Sequence, residues 1–369
     1  MSVPYWLKTA VSSFIIIGLG LVLINCSLFN VSTASTFDKA YKEAEEAGKK
    51  AQAAGNEWRD TKKTLDEAKK LAGSGDYAKA VKLANKAKQE YDMAAAQAAA
   101  NEAYLKVSPF YDPNATPDED IKKIQGFFRK KFPDLPDSEF ANGFYAMDAA
   151  MRANWEAIEE FPPYEPAIEE GETLWNTPFT NGKTYSACFK AAGVAANYPR
   201  WDKEAGQVET LPMAINKCRE ANGEKPFKYE DSGMLSVHAY MAYKSRGNLT
   251  KVQIPSDDPR ALEAYNQGKK IYFSRRGQLN LACYHCHFEN SSLKVRANVL
   301  GPALGQTSHW PTYRSKWGGM GSLHKRYTGC NNQVRAKAFE TQSAEFRNLE
   351  YFHTFMSSGI PLNGPGARF

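Results

Sequence analysis

The sequence predicts a mainly α-helical protein: an N-terminal helical hairpin followed by two related helical domains. Two observations carry that expectation. Residues 37–106 are rich in Ala, Lys and Glu and contain no proline, with apolar positions at helical spacing. Further on, the chain repeats an order of opening helix, cysteine, loop and aromatic closing helix. A length of 369 residues leaves room for two or three domains with real cores. Net charge is +6, with acids and bases interleaved rather than blocked. That pattern gives no support to a nucleic-acid partner and favours small anions or acidic partner surfaces.

Residues 1–34 read as an export segment. Lys8 precedes Phe14-Ile-Ile-Ile-Gly-Leu-Gly-Leu-Val-Leu-Ile24, and no further charge appears until Asp38. A short positive start, an apolar core and a small-residue site at Ser32-Thr-Ala34 are the parts of a signal peptide. A membrane anchor or lipidation at Cys26 are the alternatives, and the periplasm is the expected compartment. Residues 37–106 form the hairpin, with one break at Gly73-Ser-Gly-Asp76 and Asp76 as N-cap of the second helix. Trp58 in this polar stretch needs a surface to pack on. Residues 107–117 hold three prolines and read as a linker. Residues 118–255 and 256–369 are the two related domains.

The duplication is degenerate. Gly171-Glu-Thr-Leu-Trp175 is echoed by Gly268-Lys-Lys-Ile-Tyr272, and each half closes on an aromatic helix, around Ser236–Tyr243 and Asn348–Phe355. In the second half Cys283-Tyr-His-Cys286-His287 is a c-type haem attachment motif. Two thiols at this spacing reach the vinyl groups of one porphyrin edge, and His287 follows as proximal iron ligand. A structural zinc site would bring a second spaced pair, and the chain has none. A thioredoxin-like pair would sit on a βαβ pattern. The order of parts is that of a small cytochrome c domain. The first half has Cys188-Phe-Lys-Ala-Ala in the equivalent place and cannot attach haem this way, so one covalent haem is expected.

Three residues in the second half could take the distal side of the iron: Met320, His324 and Cys330. Met320 would make a high-potential electron carrier, and His324 a bis-histidine iron. Cys330 lies where a distal ligand is expected, just before the closing region. Arg326, four residues earlier, shares its helical face and favours thiolate. Cys188 and Cys218 occupy equivalent places in the haem-less half and pair best with each other, which leaves Cys330 free. His238, His309 and His353 are expected to serve packing or hydrogen bonding.

These residues resemble a known family. Gly277-Gln-Leu-Asn-Leu-Ala-Cys-Tyr-His-Cys-His287, His309-Trp-Pro-Thr-Tyr-Arg314 and His324-Lys-Arg-Tyr-Thr-Gly-Cys330 are similar to the A subunit of the Sox cytochrome, the L-cysteine S-thiosulfotransferase of thiosulfate oxidation. Ala141-Asn-Gly-Phe-Tyr-Ala146 and Phe161-Pro-Pro-Tyr164 also fit. The resemblance implies a single-haem member, with a Cys188–Cys218 disulfide where a first haem was lost. Cys330 would be both distal ligand and active-site sulfur, open to persulfide modification, with Arg326 beside it. It also implies an X-type cytochrome partner, a sulfur-carrier protein with a mobile cysteine arm, and thiosulfate as substrate. Ala54-Gly-Asn-Glu-Trp-Arg-Asp60 and Gly75-Asp-Tyr-Ala-Lys-Ala80 resemble the small Sox cytochrome-binding protein, which makes the chain a fusion. A non-catalytic electron-transfer cytochrome is the alternative for the whole, and a membrane tether the alternative for the hairpin.

Overall fold

The computed structural model describes residues 33–295 and 298–368. The expectations for the export segment therefore lie outside the described residues, apart from its final positions. Among the described residues no helix is long and apolar enough to cross a membrane.

The N-terminal region folds as three helices rather than two: α1 (Ala34–Ala53), α2 (Thr61–Gly73) and α3 (Tyr77–Val107). The additional break falls at Ala54–Asp60. There Gly55 takes φ +62°, and Asn56 turns inward to donate from Nδ2 to the Ala94 carbonyl and to Gln97 Oε1. A buried alanine stripe on α1 (Ala40, Ala44, Ala47, Ala51) meets Ala80, Ala84, Ala87 and Ala94 of α3. Small side chains let the two backbones approach, while Phe37, Leu65 and Tyr91 supply the bulk of the apolar burial. Asp76 caps α3 by accepting from the Lys79 N–H at 3.2 Å, as the sequence indicates.

Residues 109–116 are non-helical, yet they are packed rather than loose. Phe110 lies 4.8 Å from Phe127 and 5.1 Å from Phe288, ring centre to ring centre. The Lys269 ammonium donates to the Asp112 carbonyl and pairs with Asp120 at 2.5 Å, both side chains being buried. Helix α4 (Pro117–Lys131) opens with a capping box in which Thr116 and Glu119 exchange hydrogen bonds. Beyond it come α5 (Ala149–Glu159) and α6 (Glu165–Asn176). The core that holds the haem motif also takes in Ile124, Phe128, Phe140 and Ala141. Residues that the sequence reading places in the first domain thus share the core of the second. The reason lies in the aromatic side chains of α4: Phe127 and Phe128 both pack on Phe288 of the haem motif, which in turn packs on Phe273 of α9.

The first half is completed by strands β1 (Arg200–Asp202) and β2 (Gln207–Glu209) and helices α7 (Leu211–Ala221) and α8 (Ser232–Lys244). Trp175, Tyr185, Phe189, Ile215, Met234 and Met241 make its separate core. The second half contributes α9 (Pro259–Phe273), the hairpin β3 (Lys294–Val295) and β4 (Asn298–Val299), then β5 (Thr312–Arg314), β6 (Gly319–Gly321), α10 (Leu323–Gln333), α11 (Ala344–Phe355) and β7 (Gly366–Arg368). The last sheet has the order β6-β5-β7, with β5 antiparallel to β6 and parallel to β7.

The echo between Gly171 and Gly268 is visible in space. Each glycine sits where an opening helix crosses its closing helix: a Cβ at Gly171 would overlap the Ser236 carbonyl of α8, and one at Gly268 the Asn348 carbonyl of α11. Both halves therefore use backbone-to-backbone contact at the same point. Gly126, inside α4, has nothing within 4 Å of a built Cβ. Replacing Gly268 with Ala should lower stability by about 1–3 kcal/mol through overpacking. Gly126→Ala should raise it by about 0.5–1 kcal/mol through helix propensity. Denaturant unfolding of the two variants checks both signs.

Candidate haem and sulfur site

The haem motif follows α9 and runs into a short π-helical turn, His285–Glu289. His287 is oriented by its Nδ1, which donates to the Gly301 carbonyl at 2.8 Å. Across the space from it lies Cys330, near the end of α10. The His287 ring lies within hydrogen-bond reach of the Cys330 sulfur and favours its thiolate form, so the proximal and distal candidates face each other.

Cys283 and Cys286 border the same space, and the charge on Cys330 raises the pKa of both. The Tyr272 hydroxyl, which also senses these three cysteines, is buried and has no hydrogen-bond partner among the described residues. Two thiols at attachment spacing, a facing imidazole and thiol, and an orphaned hydroxyl around one space fit a porphyrin joined to the chain by two thioether links. A covalently bound haem is what such a cytochrome c fold carries.

The three free thiols among the described residues differ sharply. Burial, then the nearby Cys330 charge, pushes Cys283 up to about 12, and burial also raises Cys286. Burial acts the same way on Cys330, but Arg326, the His287 hydrogen bond and Arg314 together outweigh it and bring that thiol down to about 7. Arg326 stands one helical turn before Cys330, as expected. Arg314 and Arg368 are register neighbours on β5 and β7. Burial, followed by the like charge of Arg326, lowers Arg314 to about 10, and burial lowers Arg368. Neither Arg326 nor Arg368 forms an ion pair with a carboxylate among the described residues. Lys325 and Arg314 lie over the Trp317 ring, at 4.9 and 5.4 Å. A small dianion entering here meets positive charge in a partly desolvated setting.

The other distal candidates have different occupations. His324 Nδ1 accepts from the Gln342 N–H at 3.0 Å, and its Nε2 lies 2.9 Å from Glu350. Met320 is held in β6 opposite Tyr313. His353 accepts from or donates to the Tyr327 hydroxyl at 2.9 Å, in keeping with its expected packing role. Cys188 and Cys218 form a disulfide. Arg368, Tyr272 and Gln306, whose amide lies 3.0 Å from His287 Nδ1, were not singled out by the sequence. Only the parallel pairing of β7 with β5 brings Arg368 here, and no spacing rule announces such a pairing.

An attachment motif and an imidazole fixed by a backbone carbonyl in a helical fold define a c-type cytochrome. The description "SoxA/TsdA, cytochrome c domain" belongs to the family model that matches residues 170–249, the half without the haem motif. The L-cysteine S-thiosulfotransferase subunit SoxA of Allochromatium vinosum is 59% identical over 255 residues, 69% of this chain and 91% of that protein. The SoxA subunit of Chlorobaculum tepidum is 49% identical over 252 residues, 68% of this chain and 87% of that protein. The crystal structure of SoxXA from P. pantotrophus matches with a TM-score of 0.54 at 28% identity, covering 59% of this chain and 84% of that one. The chain belongs to the SoxA family.

Two outcomes follow from the site. In the haem-free chain at pH 7, iodoacetamide should label Cys330 ahead of Cys283 and Cys286, with a midpoint near pH 7 that falls away in acid as the thiolate is protonated. Arg326→Ala should move that midpoint upward, since a cation favouring thiolate is lost. Peptide mass mapping across a pH series reads both. Separately, replacing Cys188 and Cys218 by Ser should cost about 3–4 kcal/mol, from the freed 30-residue loop, while haem content is retained.

Proposed function

We propose that this chain is the c-type cytochrome subunit of a thiosulfate-oxidising complex and acts as an L-cysteine S-thiosulfotransferase. The observation that carries the reading is Cys330, facing the His287 ring with its thiol lowered to about 7 beside Arg326. The overall reaction conjugates thiosulfate to a cysteine of a carrier protein: carrier–SH and S2O3²⁻ give carrier–S–S–SO3⁻, one proton and two electrons. One S–S bond forms, and the two sulfurs are together oxidised by two electrons.

In this reading Cys283 and Cys286 would anchor one haem, and His287 (proximal) and Cys330 (distal) are the residues that would hold its iron. When bound, the haem would supply one-electron redox chemistry, and an X-type cytochrome subunit is the partner for the electrons released. Cys330 joins thiosulfate through its outer sulfur to give Cys330–S–S–SO3⁻, with release of one proton and the two electrons. The carrier's cysteine thiolate then attacks that outer sulfur, breaking its bond to Cys330, so that carrier–S–S–SO3⁻ leaves and the Cys330 thiolate is restored. Arg326 holds the sulfonate and stabilises anionic sulfur, and Arg314 and Lys325 add to the positive field. His287 Nδ1 stays protonated on the Gly301 carbonyl, which keeps the imidazole in one tautomer and one orientation.

The chain is organised as an export segment, a helical accessory unit (37–106), a connecting strap (107–117), a haem-less cytochrome c-like half (118–255, apart from the aromatic elements that join the other core) and a haem half (256–369). The periplasm is the compartment, where haem attachment and the Cys188–Cys218 disulfide are both at home. An electron carrier with Met320 or His324 as distal ligand is the competing assignment, and one substitution separates the two. In Cys330→Met, thiosulfate-dependent conjugation measured with the reconstituted complex should fall by about 100-fold or more, while the haem stays attached. Full turnover in that variant would return the chain to the electron-carrier class.

A further inference from the structure

The turn between α1 and α2 reaches across the molecule to the segment that leaves Cys330. The Arg59 N–H donates to the Arg335 carbonyl at 3.0 Å and the Lys337 N–H to the Glu57 carbonyl at 2.8 Å, so that Trp58 and Ala336 form an antiparallel bridge. The side chains continue the grip: Arg59 Nη1 donates to the Asn332 carbonyl at 2.9 Å, and Lys337 pairs with Glu57 at 2.6 Å. Buried Arg276 ties the three parts together by donating to the Gly55 carbonyl, to Asn331 Oδ1 and to the Lys337 carbonyl. Asn331 is the residue next to Cys330.

Two further observations point the same way. Arg335 sits at φ +60°, a left-handed conformation uncommon for a residue other than glycine, and its carbonyl is the one Arg59 binds. Such a conformation persists where surrounding contacts over-determine it. Helix α3 in turn holds the approach to the attachment motif: Gln97 Nε2 donates to the Gly277 carbonyl, Asn101 exchanges two hydrogen bonds with Arg275, and the Arg275 guanidinium stacks on Tyr104 at 3.6 Å. The N-terminal unit thus grips both the segment that leaves Cys330 and the one that leads to the attachment motif.

We infer that the N-terminal unit is a built-in positioning element for the distal cysteine, with Glu57 and Arg59 as positioning residues that hold the end of α10 and the 331–337 loop in register. This rests on the role assigned to Cys330 above, and it explains why tryptophan, arginine and glutamate stand together in an otherwise alanine- and lysine-rich region.

The test uses the full-length holoprotein carrying E57A and R59A together. Amide hydrogen exchange over 330–337 should speed up while exchange in α6 and α8 stays as in the parent. The ferric low-spin haem signal should split into more than one distal-ligand species, and conjugation turnover should fall about tenfold. The charge swap E57K with K337E should recover much of what E57K alone loses. K62A with D66A, which removes an exposed ion pair within α2, should change none of these. If the double variant does not accumulate as holoprotein, R59K is read by the same criteria. Exchange and haem signal equal to the parent's would overturn the inference, and so would lost turnover with both unmoved, since the turn would then serve an external partner. The exchange readout does not depend on catalysis at Cys330, so a failure of that role in Cys330→Met stays distinguishable.

Discussion

Removing a thiol from water disfavours its anion, and placing it among guanidinium groups and an imidazole favours it. At Cys330 the second influence prevails, which brings this one sulfur close to half ionisation at neutral pH while its neighbours in the same space remain thiols. The arrangement depends on geometry drawn from far apart in the chain. Arg326 is one turn away on α10, Arg314 comes from β5, and His287 from the turn after α9. The fold of the haem half is what brings them together. Its α9–α11 crossing is closed to the point where only glycine fits at position 268, and that contact sets the frame into which α10 and the motif are fitted.

The first half is the same frame without the attachment motif. Gly171 repeats the tight crossing, and its core is filled by Trp175, Tyr185 and Phe189. Where the haem half has an attaching cysteine and a sulfur facing it, this half joins Cys188 and Cys218 to each other. A covalent cross-link between the loop after the opening helix and helix α7 holds parts that in the other half border the porphyrin space.

Much of this was legible in the sequence because it rests on local or repeated patterns. The attachment motif, the Arg326–Cys330 spacing, the Asp76 cap and the pair of crossing glycines are all signals carried by a few residues at fixed offsets. The break at Ala54–Asp60 was harder. It has neither proline nor a Gly pair, and its stability comes from Asn56 reaching α3 thirty-eight residues later in the chain. The sharing of one core by α4 and α9 was hidden for a similar reason: aromatic residues announce that they will be buried, not against which partner. Arg368 shows the limit most plainly, since its place beside Arg314 depends on a parallel strand pairing across more than fifty residues.

The strap between α3 and α4 has a consequence of its own. It is short, proline-bearing and fixed at both ends by Phe110 and by the Lys269 contacts, so the helical unit cannot drift far from the haem half even when their interface opens. A docking event that two separate chains would reach only at sufficient cellular abundance becomes intramolecular, with an effective concentration on the order of millimolar for a short connection. Occupancy of the interface is then independent of expression level and dilution, and every copy of the cytochrome is made with its helical companion in a one-to-one ratio.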